Sequence, residues 1–107
     1  MTASIKALVP LDLDNAVEVV LKVAGTAIDH TQITRALLVA DGATLIDSAV
    51  SPAWFDWTDA ARLVLKLGAA GLAAGPHRAL LVTFDAAHPN GVYWDTAIKL
   101  NVIQVLP

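Results

Sequence analysis

A hydrophobic period of two constrains this chain more than any other feature. From Val17 to Val23 it reads V-E-V-V-L-K-V, setting Val17, Val19, Leu21 and Val23 on one side and Glu18 and Lys22 on the other. Successive side chains of an extended strand point to opposite faces, so this pattern predicts a half-buried strand. Farther on, Ile33, Arg35, Leu37 and Val39 alternate with Thr34, Ala36 and Leu38. Asp41-Gly42 follows at once, a pair that tolerates positive φ at both positions. A type I′ hairpin turn is predicted there, with Thr44–Val50 as the returning strand.

The same period returns near the C-terminus. Arg78–Asp85 and Val92–Val105 read as strands, with Ile98, Leu100 and Val102 facing one way and Lys99 and Asn101 the other. Residues 86–91 hold a proline and an Asn-Gly pair, which predicts a hairpin loop. Ser4–Leu13 alternates weakly and reads as a first strand, confined to an edge or interrupted by Pro10. Trp57–Gly75 admits two readings. Thr58 or Asp59 could cap a helix bearing Ala60, Leu63, Val64 and Leu67 and ending at Gly68, whereas Arg62 and Lys66 flank Leu63, Leu65 and Leu67 in strict alternation. Consistency with the neighbouring strands favours a strand over Arg62–Leu67. Gly68–Gly75, with Leu72 as its one large side chain, then carries the chain from one sheet to the other. About seven short strands joined mostly by short loops predict an all-β fold, an immunoglobulin-like Greek-key β-sandwich forming one domain over residues 1–107.

Composition narrows what such a sandwich can do. The 107 residues are 56% hydrophobic and only 16% charged, which excludes disorder. The longest stretch without a charge, Leu67–His77, contains three glycines and a proline and is too short to span a bilayer; no membrane insertion is expected. The net charge of −3, with neither sign gathered into a run, argues against nucleic acid as a partner. There is no cysteine, hence no disulfide, thiol nucleophile or thiolate metal site, and folding in a reducing cytosol is expected. Val20, Leu38 and Ile103, on nominally outward sides of their strands, are surplus to one sandwich core. That surplus predicts contact surface for neighbouring subunits in a homo- or hetero-oligomer. Edge strands such as Ser4–Val9 or Val102–Leu106 could also add to a neighbour's sheet.

Chemical motifs are sparse. His30, His77 and His88 form no pair at metal-ligand spacing, and His30 and His88 fall in predicted loops, where solvated histidines are ordinary. No serine lies in a nucleophile elbow, and the Gly68–Gly75 segment lacks the lysine of a phosphate loop. Asp12 and Asp14 read as a strand's exit into solvent rather than as a calcium site. No enzyme, cofactor or metal is expected. The aromatic groups Trp54-Phe55-Asp56-Trp57 and Tyr93-Trp94 hold five of the chain's six aromatic residues. Trp54, Phe55, Trp57, Tyr93 and Trp94 either close one end of the core, form a protein interface, or stack on a glycan.

The C-terminal half carries a resemblance. Leu63-Val64-Leu65-Lys66-Leu67-Gly68, Gly71-Leu72-Ala73-Ala74-Gly75-Pro76-His77-Arg78-Ala79, Val82-Thr83-Phe84-Asp85 and His88-Pro89-Asn90-Gly91-Val92-Tyr93-Trp94 resemble small immunoglobulin-like proteins of tailed phages and prophages. The likeness covers roughly residues 54 to 103, and the first half matches only in strand layout. His77 stands where that family usually has a tyrosine, whose hydroxyl reaches back to the backbone a few residues upstream; a histidine nitrogen would do the same. The resemblance implies a non-enzymatic virion protein of the tail tip, baseplate or receptor-binding apparatus. Such a protein folds in the host cytoplasm, assembles in the virion tail and has other virion subunits as partners. A carbohydrate-binding module using Trp54, Trp57 or Trp94 is the alternative.

Overall fold

In the computed structural model, residues 5–107 are described, with side chains described for residues 8–94 and 98–107. The alternating segments become strands of two sheets. The larger contains β1 (Ile5–Pro10), β5 (Arg35–Ala40), β6 (Thr44–Asp47), β9 (Gly75–Phe84) and β10 (Val92–Ile103), in the order β1-β10-β9-β5-β6. The smaller contains β2 (Val17–Val19), β7 (Phe55–Asp56) and β8 (Leu63–Leu65), in the order β2-β8-β7. β3 (Lys22–Val23) and β4 (Thr26–Ala27) form a separate small hairpin. The parallel β1–β10 pair is joined to antiparallel neighbours, and β2-β8-β7 forms the opposing layer. This is the strand order of an immunoglobulin-like Greek-key sandwich, with β5, β9 and β10 as its C, F and G strands and β2, β8 and β7 as B, E and D.

Eight strands make the two sheets, one more than predicted, because the two-residue β7 pairs with β8 at Phe55–Leu65 and Asp56–Val64. The predicted strand over Val17–Val23 divides. Val17, Val19 and Leu21 are buried, but Val23 turns outward into the β3–β4 hairpin. Trp57–Gly75 holds no helix; β8 lies within the predicted Arg62–Leu67 strand. The Gly68–Gly75 segment does cross between sheets, with Leu72 buried as its plug. Asp41 and Gly42 both have positive φ, and the Ala43 N–H donates to the Ala40 carbonyl. Ala40 pairs with Thr44, so the loop is one residue longer than the minimal turn. β1 is an edge strand ending at Pro10, as its sequence predicts, although Ser4 lies outside the described residues. Val102 is no edge residue: β10 is flanked by β1 and β9, and Val102 pairs with both Val9 and Gly75.

The core is aliphatic and lies between the layers. Ala36, Leu38, Ala79, Leu81, Ile98 and Leu100 from the large sheet meet Val17, Val19, Leu63 and Leu65 from the small one. Leu38 therefore belongs to the core and not to the surplus. The inward set of β5 is Ala36, Leu38 and Ala40, and it is Leu37 and Val39 that point out. No helix among the described residues is long and apolar enough to cross a membrane.

Candidate interaction surface

The five aromatic candidates do not converge. Phe55 and Trp94 are buried on the inner faces of opposite sheets, Trp54 and Trp57 pack against the core while half-buried, and Tyr93 is exposed. Trp94 explains its own burial, since its indole Nε1–H donates to Thr83 Oγ1 at 2.8 Å and satisfies the ring's one donor. With its ring in the core, Trp94 presents no stacking face to a glycan. Of the five, only Tyr93 offers a mostly exposed ring to a partner.

The outer faces of the two sheets differ in kind. The small sheet shows Glu18, Val64 and Asp56, with Lys66 following. The large sheet shows an apolar field. Leu37 lies across from Val82, which lies across from Tyr93, while Leu45, Val39 and Leu80 form the next row. Leu45 is 60% and Tyr93 51% exposed, and the others are half-buried. Phe84 extends the field toward the β9–β10 loop, with the Arg35 guanidinium 5.3 Å from its ring centroid. Gly91 makes that end possible. A Cβ there would come within 2.9 Å of both Phe84 and Val82, and its φ is +89°.

Polar groups frame this field rather than interrupt it. Arg35 donates to both oxygens of Asp47, whose carboxyl is held below the usual range chiefly by that hydrogen bond. At the opposite end of the sandwich, His77 Nε2 donates to the Ala73 carbonyl at 2.6 Å and Nδ1 donates to Asp41 Oδ2 at 2.5 Å. Both partners are acceptors only, so both ring nitrogens carry protons and the ring is an imidazolium. The Ala73 carbonyl first, and the Asp41 carboxylate second, raise its pKa above the ordinary histidine value. Asp41 is lowered in turn by His77 and by the Arg78 N–H. His77 thus makes the backward bond to the chain that the resemblance implies for this position.

His30 corrects the sequence reading. It is fully buried rather than solvated, accepting at Nε2 from the Leu21 N–H at 3.0 Å and donating from Nδ1 to the Ala60 carbonyl at 2.8 Å. The ring ties the β2–β5 connection to the β7–β8 loop, a structural use of an imidazole tautomer. No hydrophobic period marks it, because the residue sits in a loop. Among the described residues no group of three His, Asp or Glu is placed to hold a metal ion.

Below the apolar field, where the sheet runs toward the Asp41 loop, a cavity of about 640 Å³ opens. Leu8 and Pro76 give it apolar walls, and Asp41, His77, Arg78, Lys99 and Asn101 line its polar side.

No protein-family model matches this chain, and no curated protein does. Among solved structures, it is similar to fibronectin(III)-like modules of CbhA from Clostridium thermocellum, with a TM-score of 0.40 and 14% identity over 94% of this chain and 92% of that one. Nothing in these comparisons links the chain to phage proteins.

Proposed function

We propose that this protein is a non-enzymatic contact module that works through the outer face of its five-stranded sheet. The observation carrying this reading is the contrast between the two sheets. One outer face is charged, while the other exposes Leu37, Val39, Leu45, Leu80, Val82 and Tyr93 in two adjoining rows. Scattered exposed apolar residues are normal on a small protein, but a contiguous set centred on one sheet marks an association surface. An aromatic at its border and the near absence of charge at its centre match the composition of interface cores.

The sequence resemblance over residues 54–103 supports a narrower form of the proposal. The module would be a virion subunit of a tailed phage or prophage, set in the tail tip, baseplate or receptor-binding apparatus. It would meet other subunits through this face and fold in the host cytoplasm before assembly. The test of the broad reading is sedimentation equilibrium of the purified protein, alone and with its genomic neighbours' products, beside Leu45→Asp and Leu80→Asp. Association that both variants abolish is expected. A protein that stays monomeric and binds none of those products, or variants that associate unchanged, would overturn it. Immunogold imaging of intact particles tests the narrow form.

A further inference from the structure

We infer that the lower part of the same sheet face, beside the apolar field, is a docking site for an acidic segment of a partner protein. This inference rests on the contact role proposed above and specifies the chemistry of the partner. The β-sheet register sets Lys6 opposite Lys99, and Lys99 opposite Arg78, across β1, β10 and β9. Three of the chain's seven lysines and arginines therefore occupy one cross-strand row, in a protein whose net charge is −3. Like charges placed directly opposite one another destabilise a sheet. Elsewhere among the described residues Arg35 meets Asp47, Arg62 meets Glu18 and Asp59, His77 meets Asp41 and His88 meets Asp85, while Lys22 and Lys66 form no ion pair but lie opposite no like charge. Among the described residues, Arg78 and Lys99 take part in no ion pair. The nearby Asp41 carboxylate is already engaged, one oxygen by His77 and the other by the Arg78 backbone N–H.

The row also borders a concavity. The cavity beside it has Leu8 and Pro76 for apolar walls and Asn101 as a neutral polar group, and the Asp41 carboxylate on its lining is held by His77. Arg78 is two residues before Leu80 on β9, so the cationic row and the apolar field are continuous on one face. Carboxylates over Lys99 and Arg78, with apolar side chains over Leu8 and Leu80, would match both. A second copy of this chain related by a two-fold axis through the row would set Lys99 and Arg78 against themselves, so the fitting occupant is a different, acidic segment.

The test uses an eight-residue peptide of alternating glutamate and leucine, titrated into the ¹⁵N-labelled protein. Shifts concentrated at the amides of Leu8, Arg78, Lys99 and Asn101 are expected. Affinity should fall at least about tenfold in the Arg78→Glu/Lys99→Glu variant, and it should weaken as salt rises past the point where the Debye length drops below about 8 Å. Absence of binding at low salt, equal binding by the charge-reversed variant, equal binding of a lysine–leucine peptide, or tighter binding of a duplex DNA 12-mer would each overturn the inference. The sedimentation test is separate from the peptide titration, and Leu45→Asp, which lies outside the cavity lining, leaves the peptide site untouched. If that variant loses association while the peptide fails to bind, the contact face stands and the acidic-partner inference falls.

Discussion

Replacing His30 probes how far one loop residue holds the sandwich together. In His30→Leu the side-chain volume is nearly kept, but the Leu21 N–H loses its acceptor in a fully buried site. An orphaned buried donor costs roughly 1–3 kcal/mol. The Ala60 carbonyl keeps a second bond, from the His30 backbone N–H at 3.0 Å, so its loss is only the net value of one hydrogen bond, about 1 kcal/mol. Together these give a destabilisation of about 2–4 kcal/mol and a Tm lowered by roughly 10 °C or more for a domain of this size. His30→Gln restores an acceptor near the Nε2 position and should recover at least half of the loss. Urea unfolding of the three proteins, fitted with a common slope, measures both differences. A His30→Leu variant within 1 kcal/mol of the parent, or a glutamine variant no better than leucine, would refute the assignment of the imidazole as the strut between Leu21 and Ala60.

Gly68→Ala should be strongly destabilising, because a Cβ there would sit 2.1 Å from the Leu13 carbonyl oxygen and 2.9 Å from that of Pro10. Both are backbone atoms that cannot swing aside, and the Asp12 N–H to Gly68 carbonyl bond would be strained with them. Calorimetry should show a Tm drop matching about 1–3 kcal/mol or more, and an unchanged Tm would contradict the close approach. Lys99→Glu should instead raise Tm at low ionic strength, since it turns the repulsive cross-strand pair with Arg78 into an attractive one, and the gain should vanish in about 1 M salt. A stabilising change that also weakens the acidic peptide would mark a residue kept for contact at the expense of stability. His77 predicts a pH dependence. Its raised pKa means that its contribution is full below the unfolded value near 6.5 and is lost as pH rises through the higher folded value. The lowered pKa of Asp41 means that its share is present above 3.8 and lost as pH falls through the lower folded value. The Tm difference between the parent and His77→Phe should therefore be greatest between about pH 4 and 6.5 and shrink as the pH rises beyond 6.5 through the raised folded value; a difference independent of pH would refute the imidazolium.

The order of strands along the chain was legible because alternation is a local property. β5, β6, β9 and β10 each carry their own period, and Asp41-Gly42 and the 86–91 loop carry their own turn chemistry. The strand at Leu63–Leu65 needed one further step, because its residues suit a helix equally well and only agreement with the neighbouring strands decided for β. The backward reach of His77 was anticipated only through the family resemblance, which puts it where a tyrosine usually stands. Much else was not local. Alternation divides β5 into two apolar sets, Ala36, Leu38 and Ala40 against Leu37 and Val39, without saying which meets the second sheet. Packing assigned the first to the core and left the second, with Leu45, Leu80 and Val82, on the outer face of the sheet. The burial of His30 and Trp94 likewise depends on partners at Leu21, Ala60 and Thr83, the first two brought near only by loop closure. The cationic row is the clearest case. Lys6, Lys99 and Arg78 are scattered in sequence, and only the register of three strands sets them side by side. The sequence by itself determined which segments extend and where they turn, because that follows from each residue's own backbone preference and period. Which face is covered, which polar group is satisfied and which charges collect were decided by tertiary structure, since each depends on distances between residues far apart along the chain.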